Sequence, residues 1–260
     1  MVKKTIILKG IFRKDIVPSN DSDHLVIGQM QVRAGVTLHI EDRVTVYIKN
    51  GVVGAGKLRR SALIFDPGSS LLARKVKFMA ADAEGRAQKF ADNGGVWSFG
   101  HHRSACKDGL ASQVDEPTAP SFFKANRLSF RYLGRRDPTA AASKSARQRG
   151  DNLDAVSVMG VGPAEWKIKA IRVDCFGDDG LDLTNSHILL NEVVIKNPTE
   201  DALNISSSRL DIIKTLRVSM TRTELTDREI FDLEVDNGPA SVVLHRGAKV
   251  EISCSFGDEM

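Results

Sequence analysis

Apolar and polar residues alternate most clearly between Asp151 and Ser208, in three near-copies of one phrase. The copies are Asp154-Ala-Val-Ser-Val158, Asp179-Gly-Leu-Asp-Leu183 and Asp201-Ala-Leu-Asn-Ile205. They stand 25 and 22 residues apart. Each opens on Asp and a small residue, then alternates with period two, the pattern of a strand that buries one face. The flanks repeat too. Ile188 and Val193-Val-Ile195 are answered by Leu210-Asp-Ile212 and Leu216-Arg-Val218, 22 residues on. Turn-forming Asn, Asp, Ser and Gly separate the apolar runs.

Recurrence in the twenties is the mark of stacked similar units. Three short strands and three turns per unit predict an all-β fold, a single right-handed parallel β-helix over residues 1–260, with roughly nine or ten coils. An N-terminal cap is expected over about 1–24, with the stretch 4–18 covering an otherwise open strand edge. Strand text starts at Leu25 and continues through Val36, Leu38 and Ile40, then Val44, Val46 and Ile48. Ile230-Phe-Asp-Leu233 reads as a fourth copy of the phrase, and Val242-Val-Leu244 and Val250-Glu-Ile252 as final strands. The period breaks at about 100–125, where Pro117 and Pro120 sit, and at about 134–150; both stretches are expected to be long loops.

Hydrophobic residues make up 42% of the chain and aromatics 6%, which predicts a narrow core filled by Val, Ile and Leu. The net charge of +4 is too small to indicate nucleic acid. Cys106, Cys175 and Cys254 lack metal-ligand spacing, and their odd number argues against a disulfide framework, so they are read as small buried hydrophobes. Lys9 and Arg13 cut the first apolar run too early for a signal peptide, and no run reaches membrane-spanning length. A soluble chain is expected, cytoplasmic, or secreted if an export signal has been removed.

By parity the outward row of the repeated strand is Ser157, Asp182, Asn204 and Asp232. Such a row offers hydroxyl, amide and carboxylate groups to a sugar, and serves equally as a solvated strand face. The Asp that heads each copy fits a turn, where Asx side chains bond nearby backbone. His101, His102 and Arg103 lie in the first expected loop, either as polar anchors or as ligand contacts. Arg135, Arg136, Lys144, Arg147 and Arg149 make the second loop basic, which suits an acidic polysaccharide. Nucleic acid is not expected, because no aromatics interleave those charges.

Five stretches resemble known proteins. Ala34-Gly-Val-Thr-Leu-His-Ile40, Leu63-Ile-Phe-Asp-Pro-Gly-Ser-Ser-Leu-Leu-Ala73 and Gly94-Gly-Val-Trp-Ser-Phe99 are similar to the repeat text of the pectin-lyase-like β-helix superfamily. Asn152-Leu-Asp154 followed by Gly177-Asp-Asp179 resembles the first two polygalacturonase motifs. That resemblance implies an inverting glycosidase in which Asp154, Asp178 and Asp179 are the catalytic group, spaced to admit a water. The family's Gly-His-Gly is replaced here by Glu200-Asp-Ala202, and its Arg-Ile-Lys by Leu216-Arg-Val218. No cofactor is implied for a hydrolase. A lyase would need Ca²⁺, for which Asp178, Asp179, Glu200 and Asp201 are the available ligands. Two functions follow. One is a carbohydrate-active protein that binds an acidic polysaccharide on its outer strand face and, if an enzyme, cleaves it as a hydrolase or lyase. Its substrate contacts would be Asp182, Asn204, Glu200, Asp201, His101, His102, Arg103, Arg135 and Arg136. The other is a non-catalytic β-helix used for binding or assembly.

Overall fold

The computed structural model describes residues 4–53, 60–100, 120–135, 153–174, 176–197, 199–222 and 229–256. Among them there is no helix. The strands are β1 (Lys4–Phe12), β2 (Ser22–Val32), β3 (Thr37–Ile40), β4 (Thr45–Lys49), β5 (Ala62–Phe65), β6 (Ser70–Ala73) and β7 (Lys75–Ala81). Next come β8 (Val96–Phe99), β9 (Phe122–Ala125), β10 (Arg127–Arg131), β11 (Val156–Met159), β12 (Trp166–Ile168), β13 (Ala170–Asp174) and β14 (Leu181–Thr184). The chain closes with β15 (His187–Lys196), β16 (Leu203–Ser206), β17 (Arg209–Arg222), β18 (Phe231–Glu234), β19 (Ser241–Leu244) and β20 (Lys249–Phe256).

The main sheet runs β18-β16-β14-β11-β8-β5-β2-β4-β7-β10-β13-β15-β17-β19, with β1 on β2 and β20 on β17. A smaller sheet runs β12-β9-β6-β3. Neighbouring strands pair in parallel, as in β14 with β16 and β4 with β7. The long strand β2 serves two neighbours. Its first half pairs with β4 and its second with β5, with Gly28 at φ +74° between them. Gly28 makes that corner in a left-handed conformation that an L side chain would find strained.

The repeat seen in the sequence fixes the register. Ser157 pairs with Asp182, Asp182 with Asn204, and Asn204 with Asp232, so the outward row is the expected one. The inward residues Leu181, Leu203, Leu183 and Ile205 are completely buried. The corner after each copy also repeats. Asn185 and Ser207 adopt positive φ, and Ser186 and Ser208 follow with buried hydroxyls. The Ser186 N–H donates to Ser208 Oγ at 2.8 Å, satisfying a backbone donor that would otherwise be buried unpaired.

Four expectations need correction. The first loop ends earlier than about 125, because Phe122-Phe-Lys-Ala125 alternates and pairs as β9 with β6. The core is partly aromatic: Phe78 stacks on Phe130 at 5.3 Å and Phe65 meets Phe123 edge-on at 5.7 Å. Parallel register brings equivalent positions together, so even a few Phe residues form stacks. Cys254 is exposed, since it lies on β20 at the edge of the stack. The outward face is also not uniformly polar. Ala62, Ile64, Trp97, Phe99 and Met159 form a second apolar cluster on β5, β8 and β11, and Ser157 beside them is buried. The polar outward row opens only from β16 onward, where Asn204 and Asp232 are part-exposed. Among the described residues no helix is long and apolar enough to cross a membrane.

Candidate functional site

Parallel pairing of β11 with β14 carries the head of one repeat onto the next. Asp154 precedes β11, and Asp178 and Asp179 precede β14; the Ala155 N–H donates to the Asp179 carbonyl at 3.1 Å. The close approach depends on glycines. A Cβ on Gly95 would lie 2.2 Å from the Asp154 carbonyl oxygen, and one on Gly177 would lie 2.1 Å from the Arg135 nitrogen. With these backbones in contact, oxygens of Asp154, Asp178 and Asp179 come within 4.8 Å of one another. The three carboxylates are therefore brought together, but more tightly than the wide spacing expected for a water-separated acid and base.

Their environments differ. Asp154 Oδ2 accepts a hydrogen bond from Ser157 Oγ at 2.7 Å. Asp179 is buried; its Oδ1 accepts from the Asp201 N–H at 3.2 Å and its Oδ2 from Asn204 Nδ2 at 3.1 Å. Burial pushes the Asp179 carboxyl well up, Asp154 and Asp201 add to the shift, and the two donors oppose it. Burial also pushes Asp178 up to about 11, helped by a hydrogen bond with Glu200 and the charges of Asp154, Asp179 and Glu200. The shift favours the protonated form of Asp178, the state a proton donor requires. Asp201 is raised to about 6 by burial and by Asp232, Glu200 and Glu229, against a hydrogen bond from the Glu229 N–H. Three oxygen donors of this kind have the chemistry of a Ca²⁺ ligand set.

The other expected contacts fall in different places. Glu200, Asp201 and Asn204 border the carboxylates, and Asp182 sits one outward position along β14, 8% exposed. Asn204 Oδ1 is buried with no hydrogen-bond partner among the described residues. Arg135 runs beside Gly177, but its guanidinium turns to Asp92 at 3.4 Å. His101, His102, Arg103 and Arg136 lie outside the described residues, as does most of the basic stretch that follows Arg136.

A second cluster was missed in the sequence. Asp211 on β17 is 3% exposed, and both its oxygens are occupied. His187 Nε2 lies 2.8 Å from Oδ2, His245 Nε2 lies 2.9 Å from Oδ1, and Arg209 bridges both at 2.8 and 3.0 Å. Arg209 foremost, then the two histidines, hold the Asp211 carboxyl far below the usual carboxylate range despite burial. His187 and Arg209 also border an open groove of about 870 Å³ walled by Gly162, Pro163, Ser207 and Pro239. The available signal was the pairing of His187 with Arg209, 22 residues apart; His245 lies in a turn with no repeat phrase to flag it.

No protein-family model, curated protein or solved structure matches the chain.

Proposed function

We propose that the protein is a right-handed parallel β-helix of the pectin-lyase-like kind that binds an acidic polysaccharide on its outer strand face and hydrolyses it at Asp154, Asp178 and Asp179. The observation that carries this reading is the convergence of three carboxyl groups, two of which, Asp178 and Asp179, are raised by burial. Glycoside hydrolysis needs a carboxyl held protonated as the acid beside a second carboxyl, and a buried, raised carboxyl such as Asp178 suits the first role. The fold reading is supported by parallel pairing at repeat offsets, for example Leu181 with Leu203 and Asp182 with Asn204.

In the mechanism, Asp178 gives its proton to the glycosidic oxygen as that bond to the anomeric carbon breaks. Asp154, supported by Ser157, attacks the same carbon as carboxylate. Water then cleaves the glycosyl ester, giving its proton to Asp178 and restoring both groups. The spacing favours this double displacement: carboxyls about 5–5.5 Å apart retain anomeric configuration, whereas about 6.5–9.5 Å is needed for single displacement. Preference for an acidic polymer rests on the basic sequence from Arg135 to Arg149.

A second reading, a non-catalytic scaffold, is favoured by one observation. Asp179 and Asp201 each accept a backbone N–H from the next repeat, from Asp201 and Glu229 respectively. Such a ladder would be needed without any chemistry. Reducing-end release on a panel of acidic and neutral polysaccharides, for wild type and Asp178→Asn, separates the two. Hydrolysis predicts turnover on an acidic member that falls about 10²–10⁴-fold in the variant. Absence of turnover by the wild type on every member sinks the hydrolase reading.

A further inference from the structure

The stack of strands ends in an apolar face. On β18 and just after it Leu233 and Val235 are 48% and 71% exposed; on β19 Leu244 is 44% exposed; on β20 Val250 and Ile252 are 42% and 46% exposed. The residues that pair with them one strand inward, Ile205, Ile212, Leu216 and Val218, are completely buried. Leu233, Leu244, Val250 and Ile252 are therefore core positions over which no further layer lies among the described residues. The backbone is open too: β18 pairs with β16, and β19 and β20 pair with β17, each on one edge among the described residues.

The opposite end of the same stack presents a matching set of edges. The first half of β1 lies on the part of β2 that leads through β4 and β7 to β20. The second half of β1 lies on the part of β2 that leads through β5 and β8 to β18. Ile16 bridges Leu38 in β3, beyond Phe12. Segment 4–16 thus offers three consecutive edges in parallel orientation, and Ile6, Phe12 and Ile16 are only partly buried against the core. Charge is complementary as well. The first end carries exposed Lys4, Lys9, Arg13 and Lys14 against Asp15. The last end carries Glu229, Asp232, Glu234 and Asp236 around β18; Arg246 and Lys249 lie along β20 with Glu251. The β18 acids repel one another, with Glu234 and Glu229 adding to burial in raising the Asp232 carboxyl, so a basic rim set against them would relieve that repulsion.

We propose that the face formed by β18, β19 and β20 takes segment 4–16 of a second copy of the chain, so that copies associate head to tail. The contact would continue each run of parallel strands, cover the exposed core positions and set a basic rim against an acidic one. Because the two surfaces differ, it is heterologous and does not close on itself, so association proceeds past the dimer. The inference is independent of the carboxylate site.

Sedimentation velocity over a concentration series tests it. Wild type is expected to form species that lengthen beyond dimers and shorten as salt rises. Two blocked variants are made at exposed positions: Glu234→Lys with Leu244→Lys at one end, and Lys9→Glu with Arg13→Glu at the other. Each alone should be monomeric, with self-association weakened at least about tenfold, and each should keep the wild-type circular dichroism. Mixed in equal amounts they should form a dimer and stop there, since each retains one intact surface. Wild type that remains monomeric throughout overturns the proposal. So does a Lys9→Glu/Arg13→Glu variant that still dimerises alone, which would mean the apolar face pairs with itself. If the Leu244→Lys form is unfolded, Glu234→Lys with Asp232→Lys serves in its place.

Discussion

At the scale of single residues, the unusual expense of this molecule is buried carboxyl groups. Asp178 is pushed up to about 11 and Asp201 to about 6, chiefly by burial. A carboxyl whose folded pKa is raised binds its proton more tightly in the native state. Its contribution is complete below the unfolded pKa of about 4 and is lost as pH rises towards the folded value. Stability from Asp201 therefore declines between about pH 4 and about 6, and that from Asp178 continues to decline into the alkaline range. Asp178→Asn removes the titration while keeping the shape. It should leave the melting temperature nearly unchanged at pH 4 and raise it at pH 8, by about 1–3 kcal/mol of stability. Thermal unfolding at the two pH values reads this directly, and a variant destabilised at pH 8 would show that Asp178 is a needed structural anion. Asp211 behaves in the opposite sense. Its pKa is depressed by Arg209 and the two histidines, so its contribution is present above the unfolded pKa and lost as pH falls through the folded one. Asp211→Asn leaves Arg209, His187 and His245 facing a neutral amide. Because those partners are about half exposed, the expected loss at pH 7 is moderate, about 1–3 kcal/mol, and it should shrink at the lowest pH at which the fold survives. Chemical denaturation at pH 7 and at low pH measures both.

At the scale of elements, the site depends on backbones packed against each other rather than on side chains reaching across a cleft. Gly177 shows this most sharply. A Cβ there would meet Arg135 backbone atoms at 2.1 and 2.4 Å, and neither strand end can yield as a side-chain tip would. Gly177→Ala should therefore cost about 1–3 kcal/mol or more and displace Asp178 from its neighbours. Gly162→Ala is the control, with only Glu165 Oε2 at 3.8 Å, and should stay within about 0.5 kcal/mol. Denaturant midpoints for the pair decide it; equal midpoints would mean that the Gly177 contact is not needed. The same elements show what the sequence could reveal. The outward row Ser157, Asp182, Asn204 and Asp232 was legible because register in a parallel sheet converts a repeat interval into adjacency, and the trio Asp154, Asp178 and Asp179 through its resemblance to polygalacturonase motifs. β9 was not, because prolines on its approach masked a four-residue alternation. The apolar outward cluster around Trp97 and Phe99 was also hidden. Period two says which residues share a face, and it does not say what covers that face. The Asp211 cluster joins residues 24 and 34 positions apart, one of them in a turn, and no phrase in the chain marks that convergence.

At the scale of the whole molecule, stability should fall towards the last strands, because each strand is held by its immediate neighbours and, among the described residues, the final ones pair on one side only. The buried inward pair Leu181 and Leu203 contrasts with Leu233, Leu244 and Ile252, which keep 44–48% of their surface exposed. Apolar burial near 25 cal/mol per Å² makes that difference worth on the order of a kcal/mol or more per side chain. Local opening of β18, β19 and β20 should thus occur well below the free energy of opening β11, β14 and β16. Hydrogen exchange should show the amides of Phe231–Glu234 and Ser241–Leu244 exchanging faster than those of Leu181–Thr184 at low protein concentration. The same experiment at high concentration carries a further expectation. If a second copy covers the end face, protection of β18–β20 rises with concentration while that of β14 does not move, and segment 4–12 gains protection in parallel. A concentration-independent pattern with frayed last strands would leave the gradient standing and remove the association. Uniform protection from β11 to β20 would remove the gradient itself, because one-sided strands would then be as tightly held as those packed on both edges.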